Sequence, residues 1–166
     1  LIAKEFLIAE EKAATITYLT QAGYAIGMFV MVPLGDKLER KKQIQFTTFS
    51  AIIALILAAT SKSFLMLQIA SLLIGAFSIV PQLIVPLAAS LASPEQRGKV
   101  IGTIMSGLLV GILISRTVSG FVGLWIGWRG MFWIAALLCL LIMLVIQRKF
   151  PVNRPNFKGT YGQLYN

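Results

Sequence analysis

Histidine is absent from this 166-residue chain, and cysteine occurs once, at Cys139. Without imidazole the chain lacks the side chain that most often ligates metals or acts as a general base near neutral pH. A lone cysteine excludes an internal disulfide and a thiolate metal cluster, and Cys139 fits its apolar surroundings as a small apolar residue would. Acid is scarce too: six aspartates and glutamates stand against fifteen lysines and arginines, a net charge of +9. None of the six lies inside a long apolar run. With no histidine and no carboxylate pair within a helix, an enzyme has little chemistry to work with. No metal and no cofactor is expected.

What the chain has in abundance is apolar sequence, 57% of its residues. The apolar residues gather into five runs, 13–34, 43–60, 64–92, 100–124 and 128–146. A helix needs roughly 20 apolar residues to cross the hydrocarbon of a bilayer, and each run reaches or approaches that length. Helices satisfy their backbone groups internally, as lipid requires. The expected class is an all-α polytopic membrane protein with five transmembrane helices.

The basic residues sort by side. Lys37, Arg40, Lys41 and Lys42 follow the first run, Arg97 and Lys99 the third, and Arg148, Lys149, Arg154 and Lys158 the fifth. The opposite side holds only Lys4, Lys12, Lys62 and Arg129. Short basic loops stay in the cytoplasm, so residue 1 is expected outside and residue 166 inside. The same asymmetry makes the net charge topogenic, and no nucleic-acid partner is expected. An external start without a signal peptide leads to two further expectations: residues 1–12 are an external linker after a first helix that precedes Leu1, and 147–166 begin a cytoplasmic loop.

Several residues stand out within the runs. Arg116 is a charge well inside one, where it costs at least ~2.5 kcal/mol unless it meets a partner or water. It is either a group that binds an anionic moiety or a carboxylate, or a residue that snorkels to the headgroups. The same run repeats small residues, Gly107, Gly111, Ser115 and Ser119, with Gly120 beside them, and small residues let helices approach closely in lipid. In the first run Thr17, Gln21 and Tyr24 share a helical face, and polar groups in hydrocarbon usually face the bundle interior. The third run holds Gln82 between Pro81 and Pro86, which invite a kink. Gln21, Tyr24 and Gln82 are thus candidates to line a substrate path, or to bond between helices. The second and fifth runs, nearly pure aliphatic and aromatic, are expected to face lipid.

Six of the seven residues from Asp36 to Lys42 are charged, in a tight turn between two runs. The segment Val32-Pro33-Leu34-Gly35-Asp36-Lys37-Leu38-Glu39-Arg40-Lys41 resembles the G-x-L-a-D-R-x-G-R-[KR] signature of the major facilitator superfamily, through Leu34, Asp36, Arg40 and Lys41. Lys37 stands for the usual Arg, while Val32 and Glu39 replace the two glycines. Pro94 to Trp133, with Arg116-Thr117-Val118-Ser119-Gly120 and Gly127-Trp128-Arg129 followed by Phe132-Trp133, is similar to the bacterial drug and sugar efflux permeases of that superfamily. The resemblance implies that the runs are helices two to six of an incomplete N-terminal six-helix bundle. It also implies an alternating-access exporter of small molecules in the bacterial inner membrane, with proton coupling open. In the family the signature loop, here Asp36, Lys37, Arg40 and Lys41, locks the cytoplasmic side. The glycine-rich helix, here Gly107, Gly111, Ser115, Ser119 and Gly120, packs against the other half. The partners implied are the bilayer, helix one and a C-terminal half; an importer, a uniporter or a non-transporting membrane subunit stays open as an alternative.

Overall fold

The computed structural model describes residues 2–34 and 39–149. Its elements are α1 (Ile2–Glu5), α2 (Glu10–Leu34), α3 (Arg40–Ala59), α4 (Phe64–Phe77), α5 (Val80–Leu91) and α6 (Arg97–Lys149). Four stretches are long and apolar enough to cross a membrane: α2, α3, α4 with α5, and α6. The chain is a multi-pass membrane protein, all-helical over the described residues.

Five separate spans were expected, and the count is corrected by how the last two runs connect. No loop parts them, and α6 runs through 53 residues with one interruption, Gly127 at φ 73° and ψ 175°. At ~1.5 Å per residue such a helix would reach about 80 Å, far beyond a ~30 Å hydrocarbon core. Only the single left-handed residue at Gly127, a conformation glycine adopts without steric cost, divides it into arms 97–126 and 128–149.

The other boundaries follow from local chemistry. Ser63 caps α4, its hydroxyl oxygen accepting from the Met66 N–H at 3.2 Å. The third run breaks at Ser78–Ile79, where α4 ends. Pro81 then falls in the first turn of α5, where its missing N–H costs nothing, and Pro86 lies inside that helix.

The helices α2 and α4 run side by side in the same direction and pack most intimately. A methyl group at Gly23 would overlap the Leu72 carbonyl, one at Gly27 the Ala76 carbonyl, and one at Gly75 the Thr20 carbonyl. Only glycine permits backbones so close. The Gln68 amide ties the pair farther along, donating to the Thr15 hydroxyl at 2.9 Å.

The expectation that the second run faces lipid holds for one side of α3 only. Phe46, Phe49, Ile53 and Ile56 form its exposed stripe. Its other face joins each of the three core clusters, through Ile44, through Ile52 and Leu55, and through Ala58. The alanines at 51, 54, 58 and 59 on α3 are all buried, because small side chains let neighbours close around it. By contrast, arm 97–126 is exposed along most of its length.

Candidate functional site

Of the signature loop, Asp36 and Lys37 lie outside the described residues. Arg40 and Lys41 open α3, and the Lys41 ammonium donates to the Gln147 carbonyl at 3.0 Å. A cation there meets the negative end of the 128–149 arm, where orphan carbonyls collect. Beside it Glu39 pairs with Lys42 at 3.1 Å. At this same end of the bundle Glu95, in the turn before α6, has its carboxyl held below the usual range by its own backbone N–H and by the Ser93 hydroxyl.

Tyr24 and Gln82, singled out separately, meet across the α2–α5 contact. The Gln82 amide nitrogen donates to the Tyr24 hydroxyl. Its amide oxygen is sealed from solvent and has no partner among the described residues. Turning the amide over exchanges the two ends but still leaves one without a partner. The break at 78–79 positions Gln82, which begins the new helix as its backbone N–H bonds the Ile79 carbonyl at 3.0 Å. Gln21 does not join the pair; it stands exposed on α2.

Arg116 is exposed on arm 97–126 and makes no ion pair among the described residues. Around it the small residues face open space: a methyl group at Gly107, Gly111 or Gly120 would touch nothing within 4 Å. The Ser115 hydroxyl turns back to the Ile112 carbonyl at 2.8 Å. Inside this chain the close helix contacts are therefore those of Gly23, Gly27 and Gly75, and the small face of the arm is unoccupied among the described residues.

Two buried polar residues of α3 escaped the sequence reading. The Gln43 amide donates to the Met31 carbonyl; among the described residues its oxygen has no partner, and the fully buried Thr47 hydroxyl has none either. Their signal was visible as polar residues one helical turn apart at the head of an apolar run. A cavity of about 550 Å³ opens among α3, the α4–α5 break and both arms of α6. Its hydroxyls are spent locally, Thr48 on the Ile44 carbonyl at 2.8 Å and Ser78 on the Ile74 carbonyl at 2.6 Å, so the cavity presents an apolar wall. Among the described residues no three acidic, cysteine or histidine side chains converge to hold a metal.

Residues 1–163 match the family model described as Major Facilitator Superfamily. The chain is 44% identical over 163 residues to the uncharacterized transporter YgaY of Escherichia coli O157:H7, an alignment covering 98% of this chain and 41% of that protein. It is 33% identical over 159 residues to SCO4007 of Streptomyces coelicolor, named as a transporter, covering 96% of this chain and 37% of the relative. With the chloramphenicol resistance protein of Streptomyces lividans it shares 28% identity over 167 residues, covering 97% and 41%. The chain thus spans about two fifths of the length of these relatives.

Proposed function

The chain belongs to the Major Facilitator Superfamily, and on that premise we propose that it forms the first-half core of a secondary transporter that exports small molecules by alternating access. The family match along residues 1–163 carries this reading. Export is supported by the Streptomyces lividans relative, whose name is chloramphenicol resistance protein.

In this reading Asp36, Lys37, Arg40 and Lys41 form the cytoplasmic gate. The contact between Lys41 and the Gln147 carbonyl supports that role, since it links the loop's far side to the end of the last helix. The face bearing Gly107, Gly111, Ser115, Ser119 and Gly120 slides on a helix of the second half. Its emptiness in this chain is consistent with a partner supplied from elsewhere. Tyr24, Gln82 and Gln21 line the substrate path, and Arg116 holds the anionic or electronegative part of a substrate or a coupling carboxylate. The protein works in the bacterial cytoplasmic membrane, with residue 1 outside, and proton antiport would supply the driving force.

The test is efflux of a compound panel that includes chloramphenicol, from cells making the full-length protein. Energy-dependent export of at least one compound is expected, with Arg116→Ala weakening apparent affinity at least ~5-fold at equal membrane abundance. No export of any compound at verified abundance sinks the transporter reading. Unchanged kinetics in Arg116→Ala removes Arg116 from the site while leaving export standing.

A further inference from the structure

Gly127-Trp128-Arg129 follows the break in α6, and transport as proposed above leaves it without a task. At that end of the bundle its two side chains converge on one carboxylate. The Trp128 indole N–H donates to Glu5 Oε2 at 2.6 Å, and the Arg129 guanidinium donates to Glu5 Oε1. Each carboxylate oxygen thus takes one donor. The second guanidinium nitrogen of Arg129 donates to the Ser61 carbonyl at 2.7 Å, which fixes it to the turn between α3 and α4. The guanidinium carbon also sits 4.2 Å from the centre of the Trp128 ring, so the two donors brace each other.

Apolar contacts repeat the same connection one residue on. The Phe6 ring lies 6.0 Å from Phe64 at the start of α4 and 6.1 Å from Trp128, which meets Phe132 edge-on at 6.0 Å. The backbone between them is held against its preference. Leu7 adopts φ 51°, and the Ile8 N–H closes back on the Ala3 carbonyl at 3.0 Å. A left-handed leucine is strained and persists only where its surroundings over-determine it. Here Glu5 and Phe6 are pinned on one side and α2 begins on the other. The Arg129 guanidinium, and after it the Trp128 N–H, hold the Glu5 carboxyl below the usual carboxylate range, so the acceptor stays charged.

We propose that Trp128 and Arg129 are a two-donor receptor for the Glu5 carboxylate, and that residues 2–8 form a strap which this receptor latches over the turn around Ser61. Closed, the latch makes the neighbouring ends of α2, α3, α4 and the 128–149 arm move as one body. Open, it frees the strap from the Ala58, Leu67 and Ala70 cluster on which Ile2 and Phe6 pack. It also loosens Arg129 from the Ser61 carbonyl, uncovering Ser61, which is 1% exposed in the closed form. The inference rests on these contacts alone and stands whether or not the protein exports anything.

The test uses the purified full-length protein in lipid nanodiscs, with Cys139→Ala to remove the native thiol and Ser61→Cys as reporter. The rate of maleimide labelling at position 61 is the readout. Glu5→Ala is expected to raise it at least tenfold, with Glu5→Gln in between because its amide oxygen can still accept from one donor. Combining Glu5→Ala with Arg129→Ala is expected to give a rate within about twofold of Arg129→Ala alone, because both remove one latch. Equal rates in the parent, Glu5→Gln and Glu5→Ala overturn the proposal. So do rates that multiply in the double variant, which mark two independent residues. If Arg129→Ala does not fold, the ordered series at Glu5 still decides.

Discussion

Gln82 carries an amide with one end bonded to Tyr24 and the other sealed without a partner among the described residues. Leaving such a group unsatisfied costs about 1–3 kcal/mol. An apolar residue of similar size removes that cost while taking the donor from the half-buried Tyr24 hydroxyl, so the fold alone should tolerate the change. Gln82→Leu is therefore expected to leave thermal unfolding in detergent nearly unchanged, while export falls about tenfold or more. Lost stability with normal export would make the amide a structural tie only. Tyr24 and Gln82 were legible as polar residues in apolar runs, but the same logic did not show that Gln21 stands apart from that pair. Polar side chains do not decide how α2 is rotated; Gly23 and Gly27 do, since their backbones must meet Leu72 and Ala76. At 3.6 residues per turn Gln21 lies almost opposite Gly23, and it is exposed for that reason.

Among the helices, the decisive interface is the seam between α2 and α4. The run 100–124 has the more conspicuous series of small residues, yet Gly107, Gly111 and Gly120 face open space among the described residues, while three glycines elsewhere make backbone contact. Small-residue spacing shows that a helix could be approached, not which neighbour is in reach. Gly75→Ala should push α2 and α4 apart at Thr20 and lower stability by about 1–3 kcal/mol, the usual cost of overpacking. Thermal unfolding of the full-length protein measures it; an unchanged midpoint would mean that the seam is looser than the structure has it. The third run was similarly half legible. Pro81 and Pro86 announced a kink, but the break at 78–79 comes just before Pro81, because proline fits a first helical turn. In α6 the runs 100–124 and 128–146 announced two arms, but not that a single residue, Gly127, would join them without a loop.

For the whole molecule, alternation of the spans fixes which turns share a side. The 60–63 turn and Arg129 share one end, while Lys41 and Gln147 meet at the other. With the basic loops inside, Lys62→Cys is expected to react with an impermeant thiol reagent on intact cells and Glu95→Cys only after permeabilisation, both in a Cys139→Ala background. The reverse pattern would invert the topology. Membrane class and the division of charge between the two sides were determined by the sequence by itself, since both follow from how many apolar residues stand in a row and where the lysines and arginines fall. So was the family resemblance, which rests on short motifs. Only the tertiary structure decided which face of each helix finds a neighbour. It turned α3 into the element shared by every core cluster and paired Tyr24 with Gln82. It also brought Glu5 to Trp128 and Arg129 across more than 120 residues of chain. The physical reason is that bilayer solvation acts on a segment's total apolarity, which is local in sequence. Helix rotation and pairing depend on backbone approach and hydrogen-bond partners, which exist only once the helices stand side by side.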